Sequence, residues 1–421
     1  MAGGSICMLE EGRTKMDRLK GNLVVAQSGG PTAVINASVA GVAEEAFKNE
    51  DVITGVYGSL HGIEGILYEN LIDLGKEDRA TIHGLIETPA AALLSCRHKL
   101  TEADYDRILD VFKAHNIRYF FYIGGNDSMD TAYRVSVLAE RSGYELRSVG
   151  VPKTIDNDLA FTDHCPGFGS VARWVASSVR DAGLDTEAIG VVDKVKVIEI
   201  MGRNAGWVTA ASALARDHED AAPHLIYVPE KPINMDRLLN DVQRVYDRLG
   251  YCVVAVCEGA KGEDGKPLMA STSAVDVDAF GHAQMGGVAD YLCKVIAGKL
   301  KLKARFDKPG TIQRVSSLLA SPVDREEAYG VGAEAVRQAL NGVTGKMVTI
   351  ERLSNDPYKS RFGLVDSEKV ANAEKLIPEE YLSPEGNDVT QAFLDYARPL
   401  IGGPLPKYAY LKKVAVAKKV S

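Results

Sequence analysis

From Asn22 onward, short apolar runs alternate with stretches whose apolar residues recur every three to four positions. Asn22–Gln27 (NLVVAQ) has the length and composition of a buried strand. After Ser28-Gly29-Gly30-Pro31 the pattern becomes helical, from about Ala33 to Lys48. Thr101–His115 sets Tyr105, Ile108, Leu109 and Phe112 on one helical face, and Thr101 with Asp104 has the spacing of a capping box. Arg118–Ile123 (RYFFYI) predicts a second buried strand running into Gly124-Gly125. A helix follows from about Ser128, then a strand over Leu146–Val151. The same rhythm continues with a helix over Gly169–Ala182, a strand over Lys196–Met201 and a helix over Asn204–Arg216. A strand over Leu225–Val228, a helix over Met235–Leu249 and a strand over Tyr251–Cys257 come next. Strands without polar alternation, separated by helices, predict an α/β fold in which parallel sheets are covered on both faces. No short-period repeat or low-complexity segment interrupts the pattern. The chain beyond about Leu376 carries Pro378, Pro384, Pro399, Pro404 and Pro406, and its lysine-rich end (KKVAVAKKVS) reads as a solvated tail.

A length of 421 residues exceeds one ordinary core and predicts two domains, with interleaving allowed. Apolar residues at 46% and charged residues at 25% describe a globular chain. The net charge of −8 speaks against nucleic-acid binding, although local clusters of Arg and Lys remain compatible with anionic substrates. No apolar run is long enough to span a bilayer, and the first twenty residues lack the apolar core of a secretory signal. The six cysteines form no C-x-x-C pair, which fits reduced thiols and a cytoplasmic protein. Cys252 and Cys257, at odd spacing on one strand, face opposite ways and do not suit a shared metal.

Candidate chemistry collects where strands end, which is where open α/β sheets bind ligands. Ser28-Gly29-Gly30-Pro31-Thr32 joins a strand to a helix, so its glycines and the helix N-terminus suit a phosphate. It is neither a dinucleotide fingerprint nor a P-loop. Gly124-Gly125-Asn126-Asp127-Ser128 repeats the arrangement, the plain alternative being a tight turn with Asp127 as helix cap. Pro152-Lys153-Thr154-Ile155-Asp156-Asn157-Asp158 places two carboxylates at i and i+2 beside a lysine. Phosphoryl transfer to a hydroxyl uses such a set: one carboxylate takes the proton, another holds Mg²⁺, and the lysine neutralises charge. A polar Asx-rich turn is the alternative. Met201-Gly202-Arg203-Asn204 adds an arginine able to fork onto phosphate.

In this order, with Glu258 and Ile312-Gln313-Arg314 after them, these motifs resemble the phosphofructokinase family over roughly Asn22 to Arg325. The resemblance implies two Rossmann-like, three-layer αβα domains with parallel-rich sheets and the active site in the cleft between them. The implied divisions are residues 22–165 for the phosphoryl donor, completed by about 315–375, residues 166–312 for the sugar phosphate, and a C-terminal extension over 376–421. It further implies transfer to the 1-hydroxyl of fructose 6-phosphate. By motif position Asp156 is similar to the base, Thr154 to a contact with the transferred phosphoryl group and Ile155 to a substrate-binding residue, and Asp158 resembles a ligand of the cofactor Mg²⁺. Met201, Gly202, Arg203 and Glu258 match sugar-phosphate contacts, and Arg314 matches a contact to the 6-phosphate. Arg305 matches an arginine lent by a neighbouring subunit, which implies a homodimer or homotetramer with shared sites. Gly30, Arg97 and Ser128 fall where the donor is held. Three positions depart from the pattern: Asn126 stands where many relatives carry a metal-binding Asp, Thr311 replaces the usual His or Tyr, and Lys194 replaces an Arg.

Two residues bear on the donor. ATP-using relatives have glycine at Asp127 and commonly at Lys153, and the resemblance to the pyrophosphate-dependent branch rests on these positions. A carboxylate about 4 Å from an α-phosphate repels it by about 4 kcal/mol at an effective dielectric near 20. Such a clash is roughly three decades of affinity against ATP. Lys153 can stabilise charge on the phosphoryl oxygens as phosphate leaves. Competing readings are an ATP-dependent phosphofructokinase, a kinase preferring sedoheptulose 7-phosphate, and a non-catalytic sugar-phosphate sensor. The last has no need of Asp156, Asp158 and Lys153 together, and a nicotinamide dehydrogenase would require a fingerprint the chain lacks.

Overall fold

The computed structural model describes residues 18–98, 100–268 and 287–420. Eleven strands form two sheets among them: β1 (Gly21–Gln27), β2 (Ile53–Ser59), β3 (Leu71–Asp73), β4 (Ile117–Gly124), β5 (Arg147–Pro152), β6 (Val195–Ile200), β7 (Leu225–Tyr227), β8 (Cys252–Cys257), β9 (Ala304–Asp307), β10 (Lys346–Asn355) and β11 (Tyr358–Asp366). The larger sheet has the order β11-β10-β5-β4-β1-β2-β3 and the smaller one β7-β8-β6-β9. All pairings in the smaller sheet are parallel, and the larger sheet is parallel except for its outermost strands β3 and β11.

The strand sequences explain the layers. In β4, Tyr119, Phe121 and Ile123 point to one face, where Val39 and Val42 of the helix Ile35–Phe47 and Val331 and Val336 of the helix Pro322–Leu340 cover them. Phe120 and Tyr122 point to the other face, against Ile108 and Phe112 of the helix Glu102–Ala114. A strand buried on both sides has no room for polar alternation, which is why these runs are apolar throughout. The capping box of Thr101 and Asp104 is formed, Asp104 Oδ2 accepting from the Thr101 N–H at 2.7 Å. The smaller sheet sits between the helix Phe168–Ala188 on one face and the helices Met235–Leu249 and Val288–Leu300 on the other.

The chain leaves the larger sheet after β5, builds the smaller one, and returns to the larger through Pro322–Leu340 and the hairpin β10–β11. Beyond Leu376 it is no peripheral tail at first: Ile377, Leu382, Phe393, Tyr396, Leu400 and Leu405 are buried against Phe168 and Trp207. Residues 406–420 are exposed. The helix expected over Asn204–Arg216 is instead a short helix Trp207–Ala210 passing into a 3₁₀ turn Ala211–Ala215. Every residue from Ala205 to Ala215 is buried. A segment enclosed on all sides is held by packing, and its alanine-rich run lacks an amphipathic face to sustain a longer helix. Cys96, Cys165, Cys252, Cys257 and Cys293 are free thiols, and Cys7 lies outside the described residues. No helix among the described residues is long and apolar enough to cross a membrane.

One buried ionic cluster ties the loop after β5 to the returning helix Pro322–Leu340 and to β10. His164 makes contacts of 2.7 Å with Asp163 and 2.6 Å with Glu327, and Arg352 forks onto Asp163. Burial alone would depress the imidazole, but Glu327 together with Asp163 outweighs it and holds His164 up at about 9. A group with a raised folded pKa stabilises fully below its unfolded value and loses that contribution as pH rises through the folded one. The stability difference between the wild type and His164→Gln, measured by denaturant unfolding, is therefore expected to be largest below about pH 6.5. It should shrink as pH rises through about 9.

Candidate active site

Strand β1 ends in a turn that glycine makes possible. Gly29 has φ +74°, and a Cβ there would lie 3.1 Å from Lys153 Nζ. Thr32 Oγ1 accepts from the Ile35 N–H at 2.9 Å and starts the next helix. Ser95 donates to the Gly29 carbonyl at 2.6 Å, which draws the Ser95–Arg97 segment alongside. At the end of β4, a Cβ on Gly124 would come 2.0 Å from Ser128 Oγ, so the buried Ser128 packs where only glycine fits. The helix Asn126–Arg141 begins here with Gly125 at its cap. Asp127 is thus not the cap: it lies exposed in the first turn, its carboxylate at the positive end of the helix. Asn126 Oδ1 is buried without a hydrogen bond.

Lys153 follows β5 and stitches the other two turns together. Its N–H donates to the Gly124 carbonyl at 3.0 Å, and its ammonium donates to the Gly30 carbonyl at 2.9 Å. It is 4% exposed. Burial, and then the like charge of Arg314, push it down to about 8 against the pull of Asp156 and Asp158. Ile155 turns into the core of the smaller sheet, leaving Thr154 and Asp156 on the other side of the turn. The Asp156 N–H donates to Thr154 Oγ1 at 3.1 Å. Burial, with the neighbouring charges of Asp158 and Glu258, lifts Asp156 to about 7, while Lys153 and Arg203 oppose the rise. Asp158 is also raised by burial, against the Thr154 hydroxyl and Lys153.

The facing wall comes from the smaller sheet. After β6, Met201 N–H donates to Gln313 Oε1 and Gly202 N–H to Glu258 Oε1, each at 3.3 Å. Gly202 has φ +146°. The Gly259 N–H donates to the Gly202 carbonyl at 3.0 Å, and a Cβ on Gly259 would lie 1.8 Å from the Arg203 carbonyl oxygen. Burial raises Glu258. Arg314, in the short helix Ile312–Val315, lies over the β1 turn: a Cβ on Gly30 would meet its guanidinium at 2.6 Å. Burial and Arg97 lower its pKa, and its Nε is buried without a hydrogen bond. Thr311, just before it, is exposed.

The fold therefore brings Gly30, Arg97, Lys153 and Arg314 to one side of Asp156 and Asp158, and Met201, Gly202, Arg203 and Glu258 to the other. Arg305 is not among them. It lies on the edge strand β9, where its Nε meets Asp193 at 2.6 Å and Lys303 meets the same carboxylate at 2.7 Å. Lys194 lies 5.7 Å from the Tyr246 ring centre. Sequence reasoning passed over three residues that shape the cleft: Gln313, which holds Met201, Glu230, which accepts from Gly206 N–H at 2.9 Å, and Lys375 beside Asp158. Gln313 was available in the same run as Arg314, whereas nothing local marks Glu230 or Lys375.

A crevice between two parallel sheets, lined by glycine turns, a buried lysine and paired carboxylates, is built to handle phosphorylated substrates. Residues 22–339 match the family model described as phosphofructokinase, and the chain belongs to the phosphofructokinase family. Among its relatives, a protein of Xanthomonas campestris pv. campestris named pyrophosphate–fructose 6-phosphate 1-phosphotransferase is 45% identical over 415 residues, covering 95% of this chain and 98% of the relative. The crystal structure of a pyrophosphate-dependent phosphofructokinase from Marinobacter aquaeolei superimposes with a TM-score of 0.83 at 43% identity, over 95% of this chain and 98% of that one. A sulfofructose kinase of Alkalicoccus urumqiensis is 34% identical over 86% of this chain and 91% of its own length.

Since a methyl group at Gly259 would collide with backbone, Gly259→Ala is expected to lower stability by about 1–3 kcal/mol in denaturant unfolding.

Proposed function

We propose that this chain transfers a phosphoryl group reversibly from inorganic pyrophosphate to the 1-hydroxyl of fructose 6-phosphate, giving fructose 1,6-bisphosphate and phosphate. The observation that carries the reading is the buried Lys153 ammonium, held on Gly30 beside Asp156, with Asp127 in the first turn of the adjoining helix. The names of the relatives at 43–45% identity support the same donor and acceptor.

In this mechanism Arg203, Met201, Gly202 and Glu258 seat the sugar phosphate. Arg314, whose motif position implies the 6-phosphate, reaches over Gly30 and would meet that phosphate only where the sugar extends toward the β1 turn, with Thr311 at the edge of the same short helix. Thr154 orients the group in transfer, and Ile155 braces the turn from the core side. Asp156, lifted to about 7, takes the 1-hydroxyl proton near neutral pH. The sugar oxygen then bonds to one phosphorus of pyrophosphate as the bridging P–O bond breaks, and phosphate leaves. Gly30, Arg97 and Ser128 hold the donor, and Lys153 stabilises the charge spread over the moving oxygens. Asp127 fills the room an α-phosphate would need and so disfavours ATP.

Asp158 and Asn126 would hold Mg²⁺. Their oxygens are hard donors, and the buried, hydrogen-bond-free Asn126 Oδ1 suits a cation. Among the described residues no set of three or more His, Cys, Asp or Glu side chains is arranged for a metal. Substrate phosphates would complete the ion's shell, where it would supply charge neutralisation. Arg305, facing outward on β9, would serve the cleft of a neighbouring copy in a cytoplasmic homodimer or homotetramer.

Steady-state assays with fructose 6-phosphate and each donor test the proposal. Turnover with pyrophosphate and negligible turnover with ATP are expected, and the opposite result would overturn it. Running sedoheptulose 7-phosphate in parallel decides the acceptor. Asp156→Ser should lower kcat by about 10²–10⁴-fold with little change in sugar-phosphate binding, read by kinetics and calorimetry. Asp127→Gly should weaken pyrophosphate use without producing good ATP use. High ATP activity in that variant would reveal a ready adenosine site.

A further inference from the structure

Asn157, between the two carboxylates, is fully buried and sits at φ +56°, a left-handed conformation that asparagine tolerates better than most residues. Its side chain is held at both ends. Oδ1 accepts from the Cys165 N–H at 3.0 Å and from Lys375 Nζ at 3.4 Å, and Nδ2 donates to the Tyr396 hydroxyl at 2.9 Å. Tyr396 in turn donates to the Asp163 carbonyl at 2.8 Å. Lys375 Nζ also donates to the carbonyls of Asp163 at 2.8 Å and Thr162 at 3.2 Å, and its own N–H donates to the Asp158 carbonyl at 2.7 Å. The loop 157–165 is thereby closed on itself through one ammonium.

The same short segment reaches the opposite wall. Trp207 Nε1 donates to the Lys375 carbonyl at 3.0 Å, and the Lys375 ammonium lies 5.2 Å from the Trp207 ring centre. Ile377 N–H donates to Glu230 Oε1 at 3.1 Å, and that oxygen also accepts from Gly206 N–H at 2.9 Å, just beyond Arg203. Lys375–Ile377 therefore runs as a strap from Asp158 to the base of the Met201–Arg203 turn.

We propose that Lys375, acting with Tyr396 through Asn157, is a positioning residue that sets where Asp156 and Asp158 stand relative to the sugar-phosphate wall. The proposal rests on the reading of these two carboxylates as the reacting pair. A buried ammonium satisfied by three oxygens is costly to replace, because truncation leaves those acceptors unpaired and frees the turn. Its hydrogen bonds all go to the loop 157–165, so its loss should be felt in the transfer step more than in binding. Displacing reacting groups by about 1 Å can cost about 10²-fold in rate.

The test uses the full chain with whichever donor the wild type turns over, so that donor identity is read separately from the wild type alone. In Lys375→Met, kcat is expected to fall about 10²-fold, with both KM values within about threefold of wild type. Tyr396→Phe, nearly isosteric, should lower kcat about tenfold in the same pattern. A folded Lys375→Met enzyme with near-normal kcat, or with its loss confined to KM, would overturn the proposal. If that variant does not fold, Tyr396→Phe decides: a wild-type kcat refutes the role, and a fall in kcat at unchanged KM supports it.

Discussion

The active cleft depends on an ammonium ion kept away from water. Lys153 reaches from the end of β5 to the Gly30 carbonyl, so three successive strand ends are tied by one side chain and its own backbone. Removing a charge from water is costly unless other groups replace the solvent. Here a carbonyl and two carboxylates do so, while Arg314 and Arg97 press in the opposite sense. The compromise leaves an excess of cationic groups around the β1 turn and clustered carboxylates, raised above their ordinary pKa values, at the centre. An anion entering that space would pair with the cations, while its charge would push the carboxylates further toward the protonated form.

The second sheet supplies what the first cannot. Parallel strands pointing into a crevice place their ends within reach, but the Met201–Arg203 turn stays in register only because Gln313, Glu258 and Gly259 hold its backbone from outside the strand. Those holding groups come from distant stretches of chain. The same is true of the carboxylate turn, whose anchors lie at Lys375 and Tyr396. The geometry of the cleft is thus a property of segments far apart in sequence.

That separation explains what could be seen in the sequence alone. The strands β1, β4 and β8 were legible because burial on both faces makes them mostly apolar, β5 and β6 because their valines and isoleucines stand out despite Arg147, Lys196 and Glu199, and Met235–Leu249 because its amphipathic repeat is strong. The glycine turns and the Lys153–Asp158 segment stood out because their composition is rare for a plain loop. Trp207–Ala215 was misread, since total enclosure erases periodicity. The packing of residues 377–405 was missed because proline breaks them into pieces too short to show a period, Gln391–Ala397 being the longest helix among them. The placement of Arg314 over Gly30 could not be anticipated either: it depends on how a short helix between two sheets is aimed.

The chain's return to its first sheet bears on how the molecule must come into being. Pro322–Leu340 covers β1 and β4, and Phe393 and Leu400 close the core around Phe168. As the polypeptide emerges from the ribosome, amino end first, its earliest strands are covered by Ile35–Phe47 and Glu102–Ala114, but the part of the lid that Pro322–Leu340 supplies comes only late in the chain. The face of the first sheet under Pro322–Leu340 and the core around Phe168 are completed only by segments made last, so part of the apolar surface stays open late in translation. A protein laid out in this way has its cores closed by the segments made last, and the apolar surface left open until then favours association between nascent chains.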